Sequence, residues 1–369
     1  MSPAGGPAEL VLLNPGPANT SERVRRALDR GDMCHREPEF SRLLESIRAG
    51  LVETLVSPHS HEAVVITGSG TAAVEMAVLS SVRPGRAVLV LENGAYGERI
   101  GRMCAAQGLK TYQVVEEWAR PIDPARVTDA LAAHPDIDAV AGVMHETTSG
   151  LVNPMEEIGA IVAATDAVLV VDAISATGHE TPELARIQAD LVCGTANKGL
   201  HGLPGAAFVL IGRSKGLSRV ERTPVRSGYL DLAGHLRAQR GGEVLYTPAV
   251  QVYQAFDEAI REFRELGGYR ARVADYRARA ALLRSGFARL GLEILVAPPH
   301  RSNSVTTVRL PAGVAYRALH DELKERGFVV YAGQGRLSGD YFRVCNMGEL
   351  ALPTLSRFVS ELEEVLTLW

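Results

Sequence analysis

The sequence predicts an α/β fold, with a large, mostly parallel sheet covered by helices on both faces and a small C-terminal α/β domain. Short apolar runs alternate with segments of helical period, which is typical of βαβ units. The runs lack polar alternation, as expected for strands buried on both faces. A chain of 369 residues, 46% of them hydrophobic, can bury two domain cores. The predicted strands of the large sheet cover residues 63–67, 87–91, 139–145, 167–172, 189–193 and 206–211.

Helix signals separate these strands. Asn153 and Pro154 precede Glu156 and Glu157, which predicts a helix capped by Asn153, with proline in its first turn and acids at the positive end of its dipole. We expect this helix to end near Ala164. The long amphipathic segment at 249–289 predicts one or two helices that lead out of the first domain.

The order of the remaining elements sets the predicted domains. Residues 291–369 predict strand, strand, helix, strand, strand and helix. We therefore expect an N-terminal segment near the active site at 1–20, a large cofactor-binding domain at 21–255, and a bridging helix with the small domain at 256–369.

The composition excludes several classes of partner. A formal charge of −4 and a pI near 6.2 leave no basic surplus for a nucleic acid backbone. No apolar stretch reaches the roughly 18 residues of a membrane span, and residues 1–10 lack the order of a signal peptide, so we expect a cytoplasmic protein. The cysteines lie far apart without a CxxC pair, which predicts neither a disulfide framework nor a metal site.

The first candidate binding element is Ile66-Thr-Gly-Ser-Gly-Thr-Ala-Ala73, where a buried strand turns through glycines into a helix. Free backbone N–H groups and the helix dipole favour a phosphate there, and two hydroxyls add donors. The same run fits the relaxed dinucleotide fingerprint, with Glu92 about where a ribose-binding acid would lie. A nicotinamide-dependent oxidoreductase is therefore one alternative, and a tight turn without a ligand is another.

The second candidate element pairs Asp172 with Lys198, each at the end of an apolar strand. The carboxyl ends of parallel strands meet at one crevice, so the two side chains can face one ligand. The pair suits pyridoxal 5'-phosphate (PLP): a carboxylate keeps the pyridine nitrogen protonated, and a lysine amine forms a Schiff base and then shuttles protons. Alone, Asp172 could be a helix cap and Lys198, one of four lysines, a surface residue.

Two motifs give these residues a family resemblance. The runs Asp172-Ala-Ile-Ser-Ala-Thr-Gly178 and Gly194-Thr-Ala-Asn-Lys198-Gly-Leu-His-Gly-Leu-Pro-Gly205 resemble class V aminotransferases, most of all the 2-aminoethylphosphonate:pyruvate transaminases. The resemblance extends from Leu13-Asn-Pro-Gly-Pro17 to Phe342-Arg343-Val-Cys-Asn-Met-Gly348. It implies PLP fold type I, like aspartate aminotransferase, and a transferase that acts on small amines and oxo acids.

The resemblance also implies roles for individual residues. The phosphate cradle would consist of Ser69, Gly70 and Thr71. Tyr96 would stack on the pyridine ring, and Thr147 would lie beside the ring hydroxyl. Thr247 would bind the phosphate of the neighbouring subunit, which implies a homodimer with shared sites. Arg343 would grip the substrate carboxylate, and its planar guanidinium suits a carboxylate or a phosphonate alike.

The substrate is predicted less directly. His35, Arg36 and His201 are candidate substrate contacts, although a lone histidine is more often structural. The segments 34–40 and 249–251 depart from the aminoethylphosphonate enzymes. We expect an aminotransferase that uses a small anionic amine and pyruvate or a similar oxo acid. The alternatives are a PLP-dependent lyase or decarboxylating deaminase that acts on an amino-acid conjugate, and a catalytically silent PLP-fold binding protein.

Overall fold

The computed structural model describes residues 10–181 and 183–369, which form two layered α/β regions. The strands are β1 (Val11–Leu12), β2 (His61–Thr67), β3 (Ala87–Glu92), β4 (Lys110–Val115), β5 (Ile137–Val143), β6 (His145–Glu146), β7 (Leu151–Val152), β8 (Val168–Asp172), β9 (Leu191–Thr195), β10 (Ala206–Gly212), β11 (Val305–Arg309), β12 (Phe328–Val329), β13 (Tyr331–Ala332) and β14 (Tyr341–Cys345).

The α-helices surround these strands. They are α1 (Glu22–Arg26), α2 (Pro38–Leu55), α3 (Gly70–Leu79), α4 (Ala95–Ala106), α5 (Pro124–Ala133), α6 (Met155–Ala163), α7 (Lys215–Arg222), α8 (Leu232–Arg240), α9 (Val250–Glu265), α10 (Gly268–Arg289), α11 (Tyr316–Glu325) and α12 (Leu352–Leu366). None of the helices described here is both long enough and apolar enough to cross a lipid bilayer.

The large sheet has seven strands in the order β2-β10-β9-β8-β5-β3-β4. Strand β10 pairs antiparallel with β2 and β9, and the other neighbouring pairs among these seven strands are parallel. Alternate residues of each inner strand enter opposite cores: in β8, Leu169 and Val171 pack into one core, whereas Val168 and Val170 pack into the other. This two-sided burial explains the uninterrupted apolar runs, and the predicted mostly parallel sheet is confirmed.

Two details of the sheet differ from the prediction. The predicted strand at 139–145 is divided: β5 ends at Val143, and His145 begins β6, which pairs antiparallel with β7. The edge strand β4 was not predicted, because its outer side is open to solvent and it carries polar residues such as Lys110 and Gln113. An edge strand of this kind lacks the continuous apolar run that marks the inner strands.

The cap of α6 corrects one prediction. The helix occupies Met155–Ala163 as expected, but the N-cap residue is Pro154, and no side chain caps it. The amide of Asn153 instead donates to the Val143 carbonyl at 2.8 Å, and its oxygen accepts from Asn93 at 2.8 Å and from the Ile122 N–H at 3.0 Å. Asn153 therefore joins three segments beside the sheet rather than capping the helix.

The segment after Pro248 forms two helices, α9 and α10. They separate at Gly267 and Gly268, whose φ angles of +94° and +64° suit glycine. The boundary predicted at residue 255 falls inside α9, whose Phe256, Ile260 and Phe263 pack into a core of the large sheet. The domain division itself stays a prediction.

The C-terminal region has its own core. Strands β11, β14 and β13 form a small antiparallel sheet, and α10, α11 and α12 pack with it. The first strand predicted after residue 291 is reduced to a bridge between Ile294 and Val308. Strand β1 pairs in parallel with β12, and Leu13 is buried in this core, so the N-terminal segment lies against the C-terminal region.

Candidate active site

A cavity of about 180 Å³ lies at the carboxyl ends of β5, β8 and β9. This is the edge at which open α/β sheets bind ligands, because the strands end there and the following loops diverge. The polar residues that line it include Ser69, Thr71, Tyr96, Arg99, His145, Thr147, Asp172, Ser175, Asn197 and Lys198.

Asp172 is the last residue of β8 and is only 7% exposed. One carboxylate oxygen accepts from the Ile174 N–H at 3.0 Å. No cation pairs with this carboxylate among residues 10–181 and 183–369. Burial raises the pKa of Asp172 to about 6, since the single backbone hydrogen bond offsets only part of the lost hydration.

Lys198 follows β9 and lies in the same cavity. Its ammonium donates to the Pro15 carbonyl, and a Cβ atom at Gly16 would lie 2.8 Å from Lys198 Cε. Gly16, with φ of +127°, therefore lets the N-terminal segment pass directly over the lysine. Burial lowers the pKa of Lys198 to about 8, so a fraction of the amine is neutral near neutral pH.

The predicted phosphate turn borders the cavity. Ser69 is the N-cap residue of α3, and its hydroxyl makes no capping hydrogen bond. The first N–H groups of a helix have no acceptor within the helix, so those of α3 can face a ligand. A Cβ atom at Gly70 would lie 2.5 Å from Ile174 Cδ1, which keeps this position free of a side chain.

Tyr96 borders the cavity in the first turn of α4. The buried carboxylate of Glu146 accepts from the N–H groups of Tyr96 and Gly97, each at 3.2 Å, and from the Thr148 hydroxyl at 2.5 Å. A Cβ atom at Gly94 would lie 2.3 Å from this carboxylate. Glu146 thus caps α4 and fixes the backbone of Tyr96. We did not predict this role, because helix and carboxylate are 50 residues apart.

Arg343 lies in β14 beside the cavity. Its guanidinium donates to the carbonyls of Thr147 at 3.1 Å and Ala332 at 3.0 Å and to Gln334 Oε1 at 3.3 Å. It is 6% exposed, and no carboxylate within the described ranges lies in salt-bridge distance. The structure therefore brings Arg343 to Thr147, at the wall of the cavity, with its positive charge unpaired.

Besides Arg343, which lies behind Thr147, four predicted residues do not line the cavity. Thr247 and Arg36 are exposed, and His35 is partly buried against Phe40. His201 is buried behind Lys198, with Nε2 at 2.7 Å from the Tyr276 hydroxyl. That histidine therefore joins the lysine loop to α10 instead of reaching the cavity predicted to hold a substrate.

Glu92, the acid that the dinucleotide interpretation requires for ribose binding, does not line the cavity. Glu92 ends β3, and its carboxylate accepts from Gln113 at 3.0 Å. A Cβ atom at Gly101 would lie 2.4 Å from Glu92 Oε1, so this acid is directed beneath α4. Its position does not favour ribose binding at the Ser69–Thr71 turn.

Aminotransferases are among the known proteins to which this chain is similar. The family described as aminotransferase class-V matches residues 18–343. A 2-aminoethylphosphonate–pyruvate transaminase of Syntrophobacter fumaroxidans is 34% identical over 361 residues, 96% of each chain. A protein of the same name from Vibrio vulnificus is 32% identical over 97% of this chain and 98% of its own.

Solved structures overlap almost the whole chain. An alanine–glyoxylate aminotransferase from Nostoc sp. has a TM-score of 0.92 and 26% identity, with 99% of this chain and 97% of that chain covered. A pyridoxamine–pyruvate aminotransferase from Mesorhizobium loti has a TM-score of 0.89 and 27% identity, with 98% of this chain and 92% of that chain covered.

Proposed function

The chain belongs to the class V aminotransferase family and has fold type I, and on this premise we propose that it transfers the amino group of 2-aminoethylphosphonate, or a similar small anionic amine, to pyruvate. The observation that carries the proposal is the buried, unpaired Asp172 beside the buried Lys198 in one cavity. Relatives that bear the name 2-aminoethylphosphonate–pyruvate transaminase support the choice of substrates.

We propose PLP as the cofactor because the donor set of the cavity fits each part of that molecule. Asp172 would hold the ring nitrogen, and Lys198 would bind the aldehyde carbon. Ser69, Gly70 and Thr71 would hold the phosphate, while Tyr96 would cover one face of the ring and Thr147 would lie near its hydroxyl. When bound, PLP supplies an electron sink that stabilises negative charge on the substrate carbon.

The protein residues would orient groups and move protons. An ionised Asp172 without a cation of its own leaves its charge available to a protonated ring nitrogen. Lys198, whose pKa is lowered, can hold or release a proton near neutral pH. Arg343 would bind the anionic group of the amine and then of the oxo acid, which requires the two substrates to bind in turn.

The experiment that tests this function follows product formation without an oxo acid. The PLP-loaded protein is mixed with excess 2-aminoethylphosphonate, and the aldehyde product is counted per subunit. We expect one equivalent, followed by full turnover and alanine formation once pyruvate is added. Many equivalents of aldehyde or ammonia without pyruvate would contradict amino transfer and favour the lyase alternative. A matched control with Lys198→Ala should form no aldehyde.

We also propose a homodimer in which Thr247 contributes to the partner's cavity. Thr247 is exposed in the single chain, and an exposed apolar patch of Tyr229, Leu245 and Tyr246 lies beside it. Mixing inactive Lys198→Ala and Thr247→Asp subunits should create one intact site per hybrid dimer, about a quarter of wild-type activity at equal amounts. Hybrids that form without recovering activity would count against shared sites.

We propose the cytoplasm as the location. The four cysteines are free, and three of them, Cys104, Cys193 and Cys345, are buried, which suits a reducing compartment. Fractionation of the native cells with an antibody against the chain would test this location, and recovery in a secreted or envelope fraction would contradict it.

A further inference from the structure

We propose that Arg99 binds the phosphate group of PLP and supplies the positive charge that the Ser69–Thr71 turn lacks. This proposal rests on the proposed function, because it assumes that PLP occupies the cavity. The turn itself offers only backbone N–H groups and hydroxyls. A phosphate monoester carries between one and two negative charges at neutral pH, so neutral donors alone leave that charge unpaired inside the protein.

The fold holds Arg99 beside the turn. Tyr96 and Arg99 are three residues apart on α4 and therefore lie on one face of the helix. The Arg99 guanidinium carbon lies 4.6 Å from the centroid of the Tyr96 ring, and one of its nitrogens donates to the Thr71 hydroxyl at 3.3 Å. Stacking on the aromatic ring and bonding to Thr71 direct the guanidinium to the amino end of α3.

The charge of Arg99 has no acidic partner in the described chain. That hydrogen bond to Thr71 uses one of the five donors of the guanidinium, which leaves the others for a ligand. Arg102, three residues later on the same helix, instead pairs with Glu98 at 3.7 Å and is largely exposed. An unpaired arginine in a cavity, next to a paired arginine on the surface, indicates that the cavity receives an anion.

The charges that line the cavity distinguish the two ends of the ligand. Arg99 and Lys198 are the only cationic residues among the described residues that line it, apart from histidine. Lys198 is assigned to the aldehyde end, where its ammonium lies at the Pro15 carbonyl. Arg99 is bonded to the turn that would hold the phosphate. The planar guanidinium can donate two parallel hydrogen bonds to phosphate oxygens, which a lysine cannot reproduce.

The test compares two ligands that differ by the phosphate alone. Cofactor-free wild-type protein and the variants Arg99→Gln, Arg99→Lys and Arg102→Gln are titrated with PLP and with pyridoxal, and binding is followed by absorbance. Arg99→Gln should weaken PLP about 10- to 100-fold and leave pyridoxal unchanged within about threefold, as expected for loss of charged hydrogen bonds to the phosphate. Arg99→Lys should recover part of the affinity, and Arg102→Gln should match the wild type.

Four results would overturn the proposal. Equal losses for PLP and pyridoxal would show that Arg99 only supports Tyr96. Unchanged PLP affinity with a raised KM for 2-aminoethylphosphonate would assign Arg99 to the substrate's anionic group. Wild-type protein that binds neither ligand would overturn the proposed cofactor together with the role of Arg99, whereas normal wild-type binding with a normal Arg99→Gln variant overturns that role alone. Thermal unfolding identifies a variant that does not fold. If Arg99→Gln is such a variant, the affinities of Arg99→Lys for PLP and pyridoxal decide the question.

Discussion

Asp172 and Asp138 are buried carboxylates near opposite ends of two neighbouring parallel strands, β8 and β5. Asp138 accepts from Arg83 at 2.6 Å and Arg86 at 2.8 Å, and Arg219 lies at 3.4 Å. Burial alone would raise its pKa, but these arginines outweigh burial and lower the pKa to about 2. Asp172 has one backbone partner, and burial raises its pKa to about 6.

The difference separates a carboxylate that is paired with arginines from one whose charge has no cation partner among the described residues. A buried charge is tolerated when cations and hydrogen bonds compensate for lost hydration, as they do around Asp138. An uncompensated charge such as that of Asp172 costs stability unless something else pairs with it. The charge of Asp138 at the amino edge of the sheet is therefore compensated within the chain, whereas that of Asp172 at the carboxyl edge would be compensated by the proposed cofactor.

The largest effect is expected for Lys198 at the carboxyl edge, and Lys215 at the amino edge is its control. Lys198→Ala removes the amine of the cavity and should lower turnover about 10⁴-fold or more, because a covalent role has no substitute. Lys215, beside the amino end of β8, donates to the Ala167 carbonyl at 2.5 Å. Lys215→Ala should keep turnover per folded molecule within about twofold, since it lies away from the chemistry. Steady-state assays on folded protein test both, and a comparable loss in Lys215→Ala would remove the distinction.

Asp138→Asn should lower the free energy of unfolding by about 2–4 kcal/mol, because it leaves several guanidinium groups without their anion. Turnover per folded molecule should stay near the wild-type value. Urea titration of the cofactor-free protein measures the free energy of unfolding. Asp136→Asn, which removes the partly exposed carboxylate partner of Lys110, is the matched control. An Asp138→Asn variant as stable as the wild type would mean that the arginines do not need this carboxylate.

Asp172→Asn should show the reverse pattern. Asparagine keeps the shape but cannot hold a proton on the ring nitrogen, so turnover should fall about 100-fold and PLP should bind more weakly. The variant should fold normally. Activity and PLP titrations, run beside Asp138→Asn, check the prediction, and near-normal rates would remove Asp172 from its proposed role.

The pH dependence of stability should have opposite signs for the two carboxylates in the cofactor-free protein. The folded pKa of Asp172 is raised from 3.8 to about 6. As the pH rises between these values, the free energy of unfolding of the wild type should therefore fall by about 3 kcal/mol relative to that of Asp172→Asn. The folded pKa of Asp138 is lowered from 3.8 to about 2, so its stabilising contribution is present above 3.8 and disappears as the pH falls. Unfolding curves of the wild type, Asp172→Asn and Asp138→Asn between about pH 2 and 8 cover both windows. If the difference in unfolding free energy between wild type and variant changed with pH in the same direction for both variants, the assignment would be contradicted.

The sequence predicts the inner strands and the Asp172–Lys198 pair for one physical reason. Strands buried on both faces form apolar runs, and a polar residue that ends such a run lies at the edge of the sheet. Contacts between distant segments leave no such local pattern. Asn153 satisfies every local rule for a helix cap. In the folded chain, however, its side-chain oxygen accepts hydrogen bonds from the Asn93 amide and the Ile122 N–H. Arg99 was not predicted, because its hydrogen bond to Thr71 joins residues 28 positions apart in the sequence.

Glu146 sharpens the comparison, because it is a buried carboxylate whose partners are mostly backbone N–H groups. Burial raises its pKa, while the Thr148 hydroxyl and the N–H groups at the positive end of α4 oppose the shift. It is thus partly compensated, between Asp138 and Asp172. Glu146→Gln keeps one accepting oxygen and should cost about 1 kcal/mol of stability and roughly tenfold in PLP affinity through a displaced Tyr96.

Glu98→Gln is the matched control, since Glu98 lies in the first turn of the same helix but bonds outward to Trp118 at 3.0 Å. It should leave PLP affinity unchanged. Urea titration and PLP titration of both variants measure the effects. If Glu146→Gln lost as much stability as Asp138→Asn, helix N–H groups would compensate a buried charge as fully as guanidinium groups do. The contrast between the two edges of the sheet would then depend on hydrogen-bond number rather than on paired charge.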